Sequence, residues 1–436
     1  MSFHLNRMAV GLALTSALCG TGAAWAQSSV DEANPDPNVT VQRRARPDYD
    51  PLGIRARSFL IFPRLSVDAE FDDNVFATDG DEDSDVGAIL SPNIEAQSDW
   101  SRHALNFSAG ATSANYYEYQ KNNYLDFFGQ TTGRLDVTRD NVLSGILRAE
   151  RLHENRSDPD DEGNADDAEQ GSSGRRDLTE YYRLLADTGY RHNFNRLFTV
   201  LGGSVTRLIY DDGSGTQEGD RRSRNEYLGR LRLGYELSPR IDLFGEGRYS
   251  YRDYDKSQVF DGEDIKRDSH GYQARLGTEV DITGILFGEL ALTYSARDYT
   301  ASELKDTNGF GGNGSLTWNV TPLTSIILEL TSEIDETTVQ FEGDVAESDF
   351  ENAAELDITH ELLRNLLLNA NTRFERDDFQ GTSRTDHTWS AGAGATYLVN
   401  RNLTLDANYR YTNRSSDAAG ARYDRNLVLV GFTLRL

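Results

Sequence analysis

Residues 389–412, WSAGAGATYLVNRNLTLDANYRYT, carry an apolar or aromatic side chain at every second position on both sides of a short polar break. These positions are Trp389, Ala391, Ala393, Ala395, Tyr397, Val399, Leu403, Leu405, Ala407, Tyr409 and Tyr411. A period of two is typical of β-strands with one apolar and one polar face. The pattern leaves open which of the two faces is inside.

The same alternation recurs from residue 58 to the C-terminus, in roughly 18 segments of about ten residues each. Short turns alternate with long, charged loops between the segments. The segments begin near Phe59, Val86, His103, Leu125, Val142, Tyr181, Leu197, Tyr227, Ile241, Tyr272, Leu286, Phe310, Thr324, Ala353, Leu366, Thr388, Leu403 and Leu427. Pro63 and Pro92 interrupt the first two segments, and proline cannot donate to a ladder, so a count of about 16 also stays open.

The chain is too polar for a helical membrane protein, with 37% hydrophobic residues and a formal net charge of −27. After residue 26 no apolar run approaches the roughly 20 residues that a membrane helix needs. So many half-apolar strands with alternating short and long connections favour a closed barrel over a soluble sandwich. We therefore predict an all-β fold: a single transmembrane antiparallel β-barrel in the bacterial outer membrane, with short periplasmic turns and long extracellular loops.

The chain divides into three predicted parts. Residues 1–26 read as a signal peptide, with Arg7 before an apolar stretch and the small residues Ala24 and Ala26 flanking Trp25 at a cleavage site. Residues 27–57 are proline-rich and are predicted to be an extended or disordered periplasmic segment. Its basic cluster of Arg43, Arg44 and Arg46 is interpreted as a solvated linker, with contact to a partner or a membrane surface as the alternative. Residues 58–436 form the barrel.

The C-terminal residues NLVLVGFTLRL place Val428, Val430, Phe432, Leu434 and Leu436 on one face of the last strand. This ending resembles the signal read by the outer-membrane barrel assembly machinery, which is therefore an expected partner. Lipopolysaccharide is a second expected partner, because the barrel would lie among it. The acidic charge makes nucleic acid an unsuitable partner.

The polar face of the segments supplies the candidate pore-lining residues. They are Arg230, Arg232, Asp242, Glu246, Arg248, Arg275, Glu279, Glu289, Arg297, Glu329, Glu355, Asp357, Arg373, Asp406, Asn408 and Arg410. Side chains fill a barrel of about eight strands, whereas 16 to 18 strands leave room for a water-filled channel. The mixed charge is read as general solvation of the lumen, with a transverse field or a polyhydroxyl-binding track as the alternative.

The sequence contains no motif for catalysis or a bound cofactor. No GxSxG, HExxH or P-loop pattern is present, and the mature chain has no cysteine, so we expect no enzyme, no cofactor and no metal site. The acidic loops at residues 79–85 and 158–169 lack the spacing that wraps one calcium ion. They are interpreted as solvated loops, with divalent bridging to lipopolysaccharide as the alternative.

Residues 46–78 resemble the start of the barrel in the beta-barrel porin 2 family, outer-membrane proteins associated with exopolysaccharide or capsule systems. The matching elements are RPDYDP at 46–51, Gly53, Ile54 and Arg55, Ser58 and Phe59, Pro63, and DDNVF at 72–76, while Arg57 stands where a glycine is expected. The resemblance implies a passive conduit that exports a polysaccharide delivered by periplasmic export components. A diffusion porin narrowed by an inward loop, such as residues 153–177, and a structural or adhesive barrel remain alternatives.

Overall fold

The fold is built almost entirely from β-strands. The computed structural model describes residues 39–80, 82–158, 178–211, 220–260, 263–282, 284–337, 339–342 and 344–436. Its long strands are β1 Phe59–Asp72, β2 Asp85–Ser98, β3 Ala104–Tyr116, β4 Tyr124–Asp136, β5 Asn141–His153, β6 Glu180–Phe194, β7 Leu197–Tyr210, β8 Arg224–Ser238, β9 Ile241–Tyr254, β10 Ser269–Ile282, β11 Leu286–Tyr299, β12 Thr307–Thr321, β13 Thr324–Asp335, β14 Ser348–Leu363, β15 Leu366–Gln380, β16 Thr385–Leu398, β17 Leu403–Ser416 and β18 Tyr423–Arg435.

The minor elements are short. Ile54–Ala56 adds a strand beside β1, and Gln258–Phe260 pairs with Glu263–Ile265, as Gln340–Phe341 does with Asp344–Val345. The helical turns are Val41–Arg43, Gln120–Asn122, Asp220–Arg222 and Ala419–Ala421. Within the ranges that the structure describes, no helix has the length and apolar character to cross a membrane.

The 18 long strands close into one antiparallel barrel. Each pairs with its sequence neighbours, and β1 pairs with β18 from Arg64 opposite Arg435 to Asp72 opposite Leu427. The predicted fold and strand count are confirmed. The largest difference in a strand start is at β14, which begins at Ser348 rather than near Ala353, because ladder pairing continues into charged sequence that lacks alternation.

The apolar face of the strands points out of the barrel. In the stretch first considered, Trp389 and Tyr409 are 44% and 45% exposed, whereas Thr404 and Asn408 on the opposite face are 5% and 8% exposed. A belt of exposed leucine, valine and aromatic side chains around a closed barrel is the surface that a bilayer covers. The polar face of the alternation is therefore the inner one.

The connections differ at the two ends of the barrel. At one end the turns are short, as between β6 and β7, β8 and β9, or β14 and β15, and at the other end lie the longer connections, such as residues 255–268 and 336–347. This alternation of short and long connections follows the pattern in the sequence. The two ends are called the short-turn end and the long-loop end below.

The motif Asp72, Asp73 and Asn74 locks the first strand to the last at the long-loop end. The Arg425 guanidinium donates to Asp72 Oδ2, with Nε at 2.9 Å, and Asp72 is fully buried. The Asn426 side-chain amide donates to Asp73 Oδ2 at 2.7 Å, and the Asn74 amide donates to the Asp424 carbonyl at 2.8 Å. These bonds extend the β1–β18 ladder beyond its last paired residue.

Arg57 occupies the tight turn between Ile54–Ala56 and β1 with a φ of 57°. Left-handed backbone favours glycine, since a Cβ atom crowds the following carbonyl. This conformation explains why a glycine is expected at position 57.

Residues 39–51, which we call the N-terminal strap, run along the polar face of the barrel at the short-turn end. The Val41 amide donates to Ser325 Oγ at 2.8 Å at the start of β13, and Val41 is fully buried. At the other end of the strap, Arg435 of β18 donates to the Tyr49 carbonyl at 3.0 Å. The strap therefore follows the inner rim from β18 to β13.

Arg46 anchors the middle of the strap. Its guanidinium is 2.9 Å from Glu361 Oε2 and 2.8 Å from the Val41 carbonyl, and the residue is only 6% exposed. Nearby, burial raises the pKa of Asp50, which accepts a bond from the Arg46 amide. The interpretation of this cluster as a solvated linker is wrong for Arg46. Its guanidinium is buried and paired with the Glu361 carboxylate, as a buried charge requires. Residues 27–38 lie outside the described residues, and the periplasmic location of the segment stays a prediction.

We expect Asp72→Asn to lower the free energy of unfolding by about 3–5 kcal/mol, because it leaves the Arg425 charge without its buried partner. The matched control is Asp99→Asn, whose partner Arg55 and own side chain are 59% and 51% exposed, so its effect should stay below about 1 kcal/mol. Urea unfolding of both variants in lipid vesicles measures the difference. Equal midpoints would contradict the role of the motif.

We expect Glu361→Gln to release the N-terminal strap, because Arg46 then faces a neutral amide. Trypsin cleavage after Arg43 and Arg44 in the detergent-solubilised protein should accelerate roughly tenfold, which corresponds to about 1.4 kcal/mol. Glu303→Gln, at an exposed position between β11 and β12, serves as the control. An unchanged cleavage rate in Glu361→Gln would show that the ion pair does not hold the strap.

Candidate functional site

The candidate site is the polar inner face of the barrel. Cross-strand partners share a face, and the register pairs Glu246 with Arg232 and Arg275, and Glu279 with Asp242 and Glu289. The predicted residues occupy this face throughout: Arg230 and Arg232 on β8; Asp242, Glu246 and Arg248 on β9; Arg275 and Glu279 on β10; Glu289 and Arg297 on β11; Glu329 on β13; Glu355 and Asp357 on β14; Arg373 on β15; and Asp406, Asn408 and Arg410 on β17. That they line an open pore stays a prediction.

The central cluster comprises Arg232, Glu246, Arg248, Arg275 and Glu289, from four adjacent strands. Arg232 binds Glu246 and Glu289, each at 2.6 Å, and Arg248 binds Glu246 at 2.6 Å. Arg275 lies 3.1 Å from Glu246 and 3.5 Å from Glu289, and its side chain has no exposed area. Three guanidiniums share two carboxylates, so the cluster is rigid and carries an excess positive charge.

Sequence reasoning missed the ionic partners on β5 and β6. Arg230 forms a bidentate pair with Asp187 of β6 at 2.6 and 2.9 Å. Arg183 of β6 donates to Glu150 of β5 at 2.7 Å. The same period of two that identified the later strands applies to these strands, so following the polar phase through β5 and β6 would have found these residues.

The inner face is acidic between β13 and β15. Glu329 stands directly opposite Glu355, and Asp357 follows Glu355 on the same face of β14. Arg373 of β15 lies 3.5 Å from Glu355 and also binds Glu351 at 2.9 Å. Because the carboxylates outnumber the nearby guanidiniums of Arg373 and Arg410, this part of the wall, which we call the acidic wall, favours cations in the adjoining water.

Toward the short-turn end of β17 the inner face carries amide and hydroxyl groups beside charged side chains. Asn369 donates to Asn408 at 3.5 Å, and Thr396 donates to Asp406 at 2.8 Å. Arg410 follows Asn408 on the same face of β17. Donors and acceptors at this spacing can exchange hydrogen bonds with water or with hydroxyl groups of a solute.

Two histidines, His153 and His360, contact side chains of the neighbouring strands. His153 lies 2.9 Å from Asp126 and stacks on Tyr124, and His360 bonds to Thr324 at 2.9 Å. Over the part of the chain that the structure describes, no three His, Cys, Asp or Glu side chains are grouped so as to hold a metal ion. The acidic loop at residues 158–169 falls outside the described residues after Asp158.

The chain is similar to several solved structures at low sequence identity. OpdL of Pseudomonas aeruginosa is 13% identical, with 87% of this chain and 100% of that chain covered and a TM-score of 0.43. OmpT of Vibrio cholerae is 12% identical over 88% of this chain and 99% of that chain, with a TM-score of 0.36. The ferric enterobactin receptor PfeA of Pseudomonas aeruginosa, solved as a mutant, is 10% identical over 86% and 80%, with a TM-score of 0.44.

No curated protein matches the chain. The family described as Putative beta-barrel porin 2 matches residues 46–436. The match begins at Arg46, the anchor of the N-terminal strap, includes the Asp72–Asn74 motif and ends at the last residue of the chain. This closed 18-stranded barrel, with its apolar outer face and charged inner face, therefore belongs to the Putative beta-barrel porin 2 family.

Proposed function

We propose that the protein is an outer-membrane conduit with a hydrated lumen, and that it takes part in the export of exopolysaccharide or capsular polysaccharide. The observation that carries the conduit is the combination of 18 strands with a charged inner face. Barrels well above about eight strands have more interior than their side chains fill. Charged side chains in that interior keep it hydrated.

The inner face supports a polyhydroxyl cargo by its chemistry. Asn369, Asn408 and Thr396 present amide and hydroxyl groups on β15 to β17, and the central cluster holds fixed guanidiniums on another part of the inner face, at β8 to β11. A sugar polymer exchanges its hydrogen bonds with water for bonds of similar strength, so it can move without deep trapping. The acidic wall disfavours a strongly anionic chain, which points to a neutral or weakly charged polymer.

The export role assigns partners to the two ends of the barrel. The N-terminal strap lies at the short-turn end, where periplasmic export components would deliver the polymer. The exposed apolar belt requires the outer membrane and its lipopolysaccharide, with insertion by the barrel assembly machinery. Charged connections at the long-loop end would then meet the outside of the cell.

A general or solute-selective diffusion porin is the second candidate function. The observation that favours it is the ionic pairing of the inner face, since fixed charges of both signs suit small solutes. An adhesive or structural barrel, the third candidate, requires no passage at all. Conductance separates the third candidate from the first two.

We expect the purified protein to conduct ions in a planar lipid bilayer and to prefer cations, because the acidic wall faces the water. The double variant Glu329→Gln with Asp357→Asn should lower the cation-to-anion permeability ratio roughly twofold or more. Asp99→Asn, at the exposed rim, is the control and should leave the ratio unchanged. If the folded wild-type protein forms no channels in the bilayer, an open conduit is excluded, and the adhesive candidate is favoured when a variant with a shortened inner connection at residues 336–347 is silent as well.

We expect a clean deletion strain to secrete less polysaccharide than its parent, with secretion restored by the full-length gene. Polymer is measured in the medium and in the periplasm, because a blocked exit raises the periplasmic fraction. Uptake of small sugars and amino acids is followed in the same strains. Unchanged polymer with reduced uptake of a solute would overturn the export role and favour the diffusion porin.

A further inference from the structure

The connection between β13 and β14 departs from the barrel wall. We call residues 336–347 the inner loop, of which all but 338 and 343 are described. The β12–β13 ladder runs from Thr321 only to Gly314, which pairs with Leu330, although β12 continues to Thr307 and β13 to Asp335. At the long-loop end, residues 307–313 of β12 and 331–335 of β13 are therefore not paired with each other.

Above this break, β13 and β14 lie inside β12. Ser332, Ile334 and Phe350 have the outward phase of Leu330, yet they are 1%, 7% and 8% exposed. A Cβ at Gly309 would lie 2.2 Å from the Phe350 ring, and one at Gly311 would lie 1.8 Å from Ser332 Oγ. The glycines of β12 therefore let its inner face pack on the outer face of β13 and β14.

A second contact joins β12 directly to β14. Thr307 Oγ1 of β12 lies 2.8 Å from Ser348 Oγ of β14, and both residues are buried. The inner face of β12 thus also covers the start of β14, and the paired ends of β13 and β14 both lie inward of β12. The inner loop connects these two ends.

Two arginines hold the inner loop, one from β9 and one from the connection that precedes β10. Arg252 of β9 donates to Glu336 at 2.8 Å and to Asp335 at 3.1 Å. Arg267, which is 2% exposed, donates to the carbonyls of Thr337 at 2.8 Å and Ala346 at 2.9 Å. Because β9 lies four strands from β13, these bonds require the loop to reach inward across a chord of the barrel.

Apolar packing fixes the far side of the loop. Val339, Ala346 and Phe379 of β15 form a buried cluster, and the Ala346 amide donates to the Val339 carbonyl at 2.9 Å. Tyr299 of β11 donates its hydroxyl to the Glu347 carbonyl at 2.6 Å. The loop is therefore tied to strands from β9 to β15 and not left free above the barrel.

We propose that the inner loop is the constriction of the conduit and sets the largest solute or polymer that passes. This inference rests on the proposed conduit function. It assigns the narrowing to residues 336–347, whereas the sequence suggested residues 153–177, of which 159–177 lie outside the described residues. Arg252 and Arg267 are the positioning residues of the constriction. Arg252 binds the Glu336 carboxylate, and Arg267 binds the backbone carbonyls of Thr337 and Ala346.

The test replaces residues 339–345 by two glycines, which keeps Glu336 and Glu347 and removes the middle of the inner loop. Single-channel conductance and the exclusion size for uncharged polyethylene glycols are measured against wild type. We expect conductance to rise about twofold or more and larger polymers to enter, since a wider passage admits more ions. Heat-modifiable migration of the folded barrel verifies that the variant has assembled.

A second variant tests the position without removing the loop. The only native cysteine is Cys19, within the expected signal peptide, so in the processed protein Asp344→Cys, at an exposed site in the inner loop, offers a unique thiol to a bulky methanethiosulfonate reagent. Disulfide formation with loss of the sulfinate leaving group should lower the conductance. Ser302→Cys, exposed in the β11–β12 connection, is the matched control and should conduct equally before and after modification.

The outcomes separate this inference from the conduit itself. A wild-type channel that widens in the shortened variant supports the constriction, and so does a silent wild type that conducts only after shortening. Equal conductance of wild type and shortened variant, together with no effect at Asp344→Cys, overturns the constriction and leaves the conduit standing. Folded protein that is silent in both forms overturns the conduit and the constriction together.

Discussion

The need to satisfy every backbone hydrogen bond in a non-aqueous surrounding governs this structure. No water competes for amide and carbonyl groups inside a bilayer, so a sheet that spans it must have no unpaired edge. The β1–β18 ladder removes the edge, and the bonds of Asp72, Asp73 and Asn74 to residues 424–426 extend the closure at the long-loop end. The DDNVF segment at residues 72–76 thus helps to join the first strand of the sheet to the last.

Once the barrel is closed with its apolar face outward, its polar side chains must share a confined interior. Charges there are stable only when paired, because desolvation of a lone ion costs several kcal/mol. The central cluster, the Arg230–Asp187 pair and the contacts of Arg252 and Arg267 meet this requirement. The same pairs shape the passage, since they hold the walls and the inner loop in place.

Much of the fold and part of the candidate site could be predicted from the sequence. Period-two alternation located every long strand and the polar face, because side-chain direction follows directly from strand geometry. Asp187 and Glu150 follow the same alternation, so their place on the inner face could have been predicted from the sequence. The burial of Arg46 and the inner position of residues 336–347 were not, because no local pattern shows that Glu361 or Arg267 lies nearby.

The sequence by itself determined the strands, their order, the lipid-facing side and the closure between first and last strands. These follow from local periodicity and from the rule that neighbouring strands pair. Only the tertiary structure decided which charges meet, where the N-terminal strap lies and which connection enters the barrel. Those features depend on contacts between residues far apart in the chain, such as Arg46 with Glu361 and Arg252 with Glu336. The curvature of the closed sheet sets the distance between the two residues of each pair.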